Sequence, residues 1–414
     1  MPNQPWHHKA IIYELYVDKF AGNFQGLISR LPYLKDLEIN TLWLLPHYPS
    51  PMVDGGYDIS DYYSIRSDLG NMDEFETFLG KAHEMGLKVI LDLVLNHTSI
   101  EHPWFKEHKY WYIRSHNIDQ YSQAFVHFSK LKNGKNWIPD PENGDYYYAS
   151  FYPTQADLNW DNPEVEAEMF KVADFWLDKG VDGFRLDAVS RLIKREHTSC
   201  FALPETHEIL KRLRAHIDLK YQKRILIAET GGWPEEARPF FSSCHIVLHF
   251  PLAMRLLTGI PYKETSKFSQ VLNWSGQIPD SCRWGAFLTN HDSVDVFFLN
   301  DDGEKRWFLD TVDPGRRFIN SEGTSIGARL AEICQGDPGK IFWATQQLLS
   351  FPAVPIIYYG NEIGMRNLDL KIKPLDVREF VRGPFDWDSA KKQQSDPNSL
   401  FHSVRRLLND RSKI

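Results

Sequence analysis

The chain has 414 residues, a net charge of −8, 25% charged and 14% aromatic residues. That length allows one large α/β domain or two to three smaller ones, and the mildly acidic balance argues against nucleic acid as the main partner. No apolar run is long enough to span a bilayer, the N-terminus MPNQPWHHKA lacks an apolar signal core, and Cys200, Cys244, Cys282 and Cys334 fall at scattered positions without a CxxC or zinc spacing. A soluble protein of a reducing, cytoplasmic compartment is expected.

In chain order, Ala10 to Phe20 (AIIYELYVDKF) predicts a first strand, and GLISRLPYLKDLEIN a helix with Leu27, Leu31, Leu34 and Leu37 on one face. NTLWLLPH is a second strand, leading into the loop YPSPMVDGGYDISDYYSI. MDEFETFLGKAHEMG is an amphipathic helix closed by Gly86, followed by the strand LKVILDLVLNH. After His97 the alternation breaks: residues 98–160 are rich in aromatic and polar side chains and too long for an ordinary connection, so they predict a small inserted domain. The alternation then resumes. NPEVEAEMFKVADFWLDKG is helical, and Val181 to Arg191 (VDGFRLDAVSR) reads as a short buried strand. ETHEILKRLRAHIDLKY, KIFWATQQLLSF and NSLFHSVRRLLND are helices, and RILIAET, HIVLHF, RWGAFLTNHD and VPIIYYGNEIG are strands.

Alternating strands and helices predict a parallel sheet, either doubly wound or closed into a barrel. No GxGxxG follows the first strand, which weighs against a dinucleotide fold. Polar, chemically capable residues gather instead at the C-terminal ends of several strands: Asp92, Asn96 and His97; Arg185 and Asp187; Glu229; Asn290, His291 and Asp292. A (β/α)8 barrel collects strand ends on one face, where its active site lies, so the barrel is chosen, with residues 1–97 and 161–414 as barrel and 98–160 as the insertion.

Arg185 and Asp187 stand two residues apart on a strand and so share a face. Alone they could be a structural ion pair; equally, a guanidinium that keeps a carboxylate ionised and below its ordinary pKa suits a nucleophilic Asp. A lone Glu229 could cap the next helix, and a lone histidine is more often a satisfied hydrogen-bonding group. Three acids from three strand ends, with two histidines and an arginine, point further. Two carboxyls flanking a glycosidic bond are the minimum equipment for sugar transfer, one to attack C1 and one to protonate the leaving oxygen. A third, with histidines donating to ring hydroxyls, would favour the charge of an oxocarbenium-like state.

DLVLNH (Asp92 to His97), GFRLDAV (Gly183 to Val189), LIAET (Leu226 to Thr230) and FLTNHD (Phe287 to Asp292) resemble, in order and spacing, the four signature regions of the α-amylase superfamily, glycoside hydrolase family 13. QADLNWDNP (Gln155 to Pro163) is similar to the further region that ends the family's inserted B domain, and GYDISDY (Gly56 to Tyr62) to its sugar-pocket loop. The resemblance implies a TIM-type barrel with a B domain after the third strand, and retention of α configuration through a covalent glycosyl-enzyme. It assigns Asp187 as nucleophile, Glu229 as general acid/base with a raised pKa, and Asp292 as transition-state stabiliser. It further implies that Arg185 orients Asp187, that His97 and His291 bind hydroxyls, that Tyr57 stacks on the cleaved sugar, and that Asp58 holds its non-reducing end.

Within the family, AETGGWPEEARPFFSSCHIVLHFPLAMRL, HTSIEHPWF and VPIIYYGNEIGM resemble trehalose synthases, which interconvert maltose and trehalose. VRGPFDW is similar to their RTPMQW motif, so Arg382 is implied to pair with Asp58 and block the cleft beyond one glucose. The expected activity is therefore α-glucosyl transfer on a small α-glucoside. A hydrolytic α-glucosidase or amylase-like enzyme is the alternative, and a non-catalytic carbohydrate-binding barrel a third. ETGGW and NHDSVD depart from the EANQW and NHDELT of trehalose synthases beside the acceptor site, which puts the acceptor in doubt. The chain also stops after the last barrel helix where the family continues into a β-sandwich, so either that domain is lacking or the chain has been cut; its loss would expose barrel surface that a second copy or a partner could cover. Family enzymes often hold Ca²⁺ through residues matching Asn96 and Asp157. Here Lys194 stands where trehalose synthases offer a carboxylate, and its ammonium is expected in the cation's place, with no bound metal or other cofactor. His102, His108, His116 and His127 lack metal spacing.

Overall fold

The computed structural model describes residues 5–264, 268–299 and 301–413, with backbone alone at 268–270. Eight parallel strands close into a barrel: β1 (Ile12–Leu15), β2 (Thr41–Leu44), β3 (Lys88–Val94), β4 (Gly183–Asp187), β5 (Ile225–Ala228), β6 (Ile246–Leu248), β7 (Arg283–Ala286) and β8 (Val354–Tyr358). Each pairs with its successor, and β8 returns to β1 through Ile12↔Ile356 and Glu14↔Tyr358. All eight are almost wholly buried, as parallel strands covered by helices must be. The fold is the TIM-type barrel expected from the alternation.

The outer helices follow from local signals. Pro163–Asp178 starts on the Asn162 side chain, which accepts from the Glu164 N–H, with Pro163 at the first helical position. It buries Val165, Met169, Val172, Ala173, Trp176 and Leu177, one stripe of helical period. Met72–Glu84 begins with a full capping box between Asn71 and Glu74. Each such cap stabilises its helix by about 1 kcal/mol.

Two expected strands are shorter than the sequence suggests. β1 ends at Leu15, and Val17–Ala21 turns into a helix that sends Phe20 into the core. β4 ends at Asp187 because Ala188 takes a left-handed conformation (φ 46°), after which Val189–Arg191 forms a 3₁₀ turn. Gly183, at the start of β4, is required by close approach: a Cβ there would lie 2.2 Å from the Ile225 carbonyl oxygen of β5.

Between β3 and β4 the chain leaves the barrel as an inserted B domain. His97–Ser99 pairs antiparallel with Gln155–Asp157, and Arg114–Ser115, Asp145–Tyr148 and Trp137–Asp140 make a second small sheet. Its own apolar cluster joins Ala124, Trp137 and Tyr148 to Cys200 from the segment after β4. All four cysteines are buried thiols. No helix among the described residues is long and apolar enough to cross a membrane.

Candidate active site

The barrel places Asp92 and Arg185 opposite one another across the β3–β4 pair, and Asp187 opposite Val94. Arg185 is fully buried and bridges three carboxylates from three strands. Its Nη1 donates to Asp92 Oδ1 (2.7 Å) and Asp187 Oδ1 (2.5 Å), and its Nη2 lies 2.9 Å from Glu229 Oε2. Asp187 and Glu229 are thus close enough to share one guanidinium. The left-handed turn at Ala188 aims its backbone N–H at Glu229 Oε2, 2.9 Å away. A non-glycine residue held in that conformation costs on the order of 1–3 kcal/mol, which the surrounding packing must offset.

Arg185 was expected to depress the pKa of Asp187. The structure reverses the sign: burial outweighs the guanidinium, and with Asp92 and Asp292 nearby Asp187 is pushed up to about 7. Burial likewise pushes Glu229 up to about 7, against Arg185 and together with Asp187 and Asp292. Asp292 differs. Burial pushes it up, but the His291 ring and the Arg378 and Arg382 guanidiniums outweigh that and hold it well below the usual carboxylate range. The cluster therefore keeps one carboxyl firmly ionised beside two that titrate near neutrality.

His291 is fixed on all sides. Its Nδ1 lies 2.6 Å from Glu14 Oε1, its Nε2 is 2.7 Å from the Tyr57 hydroxyl and 3.4 Å from Asp292 Oδ2. Tyr57 lies face to face with it, centroids 5.3 Å apart, and its hydroxyl reaches Asp92 at 3.3 Å. Glu14, on β1, also accepts the backbone N–H of His291. His97 sits where the barrel meets the insertion, with Nε2 3.1 Å from Gln155 Nε2 and its ring beside Phe151.

The implied pair of Arg382 with Asp58 is not formed. Asp58 is fully buried inside its own loop, accepting from Ser50 Oγ (2.8 Å) and from the backbone N–H groups of Val53 (2.9 Å) and Asp54 (3.1 Å). A carboxylate so occupied caps a turn, with most of its acceptor capacity spent inside the loop. Asp54, also buried, faces the two arginines instead. Its Oδ1 accepts from Arg378 Nη2 (2.7 Å) and lies 4.0 Å from Arg382, and its Oδ2 accepts from Gln155 (3.0 Å). Arg382 donates to the His291 carbonyl (2.9 Å) and to Asp292 Oδ1 (3.3 Å). Arg378 spans Asp54, Asp376 and Asp292. Gly55 leaves room for this: a Cβ there would stand 2.2 Å from Arg382 Nη1. Glu14, Asp54 and Arg378 escaped the sequence reading. The one available signal was Glu14, an acid inside an otherwise apolar strand.

At the family's calcium position, between Asn96 and Asp157, stands the Lys194 ammonium. Lys194 Nζ lies 2.5 Å from Asp157 Oδ2 and 3.0 Å from Asn96 Oδ1, and also donates to the Arg191 carbonyl. A positive charge already stands between those oxygens, so these residues do not fit Ca²⁺. Among the described residues no group of three His, Cys, Asp or Glu side chains could hold a metal, and His102, His108, His116 and His127 form none.

Residues 9–413 match the model of the α-amylase catalytic domain. The chain is 38% identical to the trehalose synthase/amylase TreS of Mycolicibacterium smegmatis, over 96% of this chain and 70% of that protein. It is 40% identical to the trehalose synthase of Thermus thermophilus, over 93% of this chain but only 41% of that one. Among solved structures, the trehalose-6-phosphate hydrolase of Bacillus licheniformis superposes with a TM-score of 0.74 at 25% identity, covering 99% of this chain and 84% of that one. With a closed eight-stranded barrel, an early insertion and three carboxyls around one arginine, the chain belongs to the α-amylase family, glycoside hydrolase family 13, and is a retaining glycosidase or transglycosylase acting on α-glucosides.

Proposed function

We propose that this enzyme transfers an α-glucosyl group within small α-glucosides, interconverting maltose and trehalose. The observation that carries it is the pair of arginines, Arg378 and Arg382, packed between Asp54 and Asp292; on this reading they close the pocket beyond one sugar and favour disaccharides over chains. The likeness to trehalose synthases supports the same reading.

Asp187 attacks C1 of the bound glucose while Glu229 gives its proton to the leaving oxygen, leaving a covalent glycosyl-enzyme. Glu229, now a carboxylate, then takes the proton of an incoming sugar hydroxyl, which attacks C1 and restores the α configuration. Arg185 holds Asp187 in place and must be strong enough to keep it ionised when Glu229 carries the proton; the shared guanidinium couples the two. Asp292, His291 and His97 grip ring hydroxyls, and Asp54 with Arg382 and Arg378 holds the non-reducing end.

Hydrolysis by the same intermediate is the second reading, favoured by the likeness to a trehalose-6-phosphate hydrolase. The two differ only in whether a sugar or water attacks. Incubation with maltose, with trehalose and with buffer alone, followed by anomer-resolved product analysis, separates them. Trehalose from maltose with little glucose supports transfer; mainly glucose supports hydrolysis.

A further inference from the structure

Arg191 closes the 3₁₀ turn that follows Asp187. Its guanidinium lies over Phe201 (5.4 Å) and Phe151 (6.0 Å). Phe201 touches the acid/base loop, since a Cβ on Gly232, three residues past Glu229, would meet its ring at 3.3 Å. Phe151 stacks on His127 (5.1 Å) and packs against His97 (5.3 Å). Arg191 therefore stands between the insertion and the Glu229 loop. That is the side where a leaving or attacking sugar must lie, because Glu229 exchanges a proton with its oxygen. Asp54, Arg378 and Arg382 gather at Asp292 instead.

The other cations around this pocket have oxygen partners. Arg185, Arg378, Arg382 and Lys194 each meet carboxylates. Lys132 is caged by Asn136 Oδ1 (2.7 Å) and the carbonyls of Ala149 (2.9 Å) and Ser150 (3.0 Å). Arg191 differs. Among the described residues its guanidinium has neither a carboxylate within ion-pair distance nor a hydrogen-bond acceptor. Beside it, His127 Nε2 is buried without a partner. The Arg191 side chain is half-buried, and the carboxylates of Asp157 and Glu229 act on it only from beyond ion-pair distance, so its donors stay open to a ligand; a planar five-donor fork is the group best matched to phosphate or carboxylate.

We propose that Arg191, with His127 beside it, receives an anionic substituent, phosphate or carboxylate, on the sugar that departs from or attacks at Glu229. This rests on the glucosyl-transfer reading and narrows it, naming an anionic acceptor sugar in place of the plain glucose of maltose and trehalose.

The test is calorimetric titration of the Asp187→Asn protein with trehalose, with trehalose 6-phosphate and with an α-glucosyl glucuronate. At least one anionic sugar should bind at least about tenfold tighter than trehalose, its identity showing whether phosphate or carboxylate is read. The gain should shrink as salt rises and largely vanish when Arg191→Gln is added, while Arg191→Lys keeps part of it. Equal affinity for all three, no detectable binding of any, or a gain that survives Arg191→Gln would overturn the proposal. Should the glutamine variant fail to fold, the salt dependence alone still decides. Turnover of an uncharged aryl α-glucoside by the unmodified enzyme reports separately: its absence would sink the glucosyl-transfer reading and leave the binding comparison standing.

Discussion

Lys194→Met removes the ammonium from a site where all its partners stay behind. Lys194 and Asp157 are 4% and 0% exposed, and Asp157 would retain only the Ser150 N–H (2.9 Å) and hydroxyl (2.5 Å) as donors. Burial already works against the charged lysine, and Asp157 is what opposes that. Removing one partner of a buried ion pair costs about 3–5 kcal/mol because the other charge is left uncompensated. Over 414 residues, at about 2.1 cal/mol/K each, the unfolding entropy is about 0.9 kcal/mol/K, so Tm should fall by about 3–6 °C. Differential scanning calorimetry measures it directly. Lys194→Met with Asp157→Asn should recover a large part of the loss, since no orphaned charge remains. The unmodified protein should show the same Tm in chelator and in micromolar Ca²⁺. A drop below about 1 °C for the single variant, or a Ca²⁺-dependent rise in the unmodified protein, would falsify the view that the lysine stands in for a cation.

Three further outcomes follow from the carboxyl cluster. Turnover needs Asp187 ionised and Glu229 protonated, and both are pushed up to about 7, so kcat/KM should be bell-shaped and centred near neutrality; a profile flat from pH 5 to 9 would refute it. Because the fold holds protons on these two acids that the unfolded chain releases near pH 4 to 5, their contribution to stability is present at low pH and falls as pH rises through about 7. Asp187→Asn should accordingly cut turnover at least about 10³-fold yet leave Tm at pH 8 unchanged or higher; a lower Tm would contradict the dominance of burial at that carboxyl. Asp54→Ala should reduce kcat/KM on maltose by about 10²-fold or more with little loss of stability. Asp58→Ala should chiefly lower Tm, by removing three hydrogen bonds inside the loop. The reverse pattern would restore Asp58 as the sugar-binding acid.

The sequence by itself determined the element order and the strand ends. Helical and strand periodicities report which face of a segment is apolar, and that is a local property. Asp187, Glu229, Asp292, Arg185 and His291 were legible because each lies in or just past an apolar strand, toward the end that a barrel gathers on one face. Partnership was not legible. Asp54 and Asp58 lie four residues apart in one loop, and only the path of that loop decides which carboxyl caps it and which faces Arg378 and Arg382. Glu14 meets His291 across 277 residues, through the closure of the barrel. The direction of the Asp187 pKa also had to wait for the tertiary structure: spacing set the arginine beside it, but the exclusion of water, which outweighs that arginine, belongs to the assembled barrel.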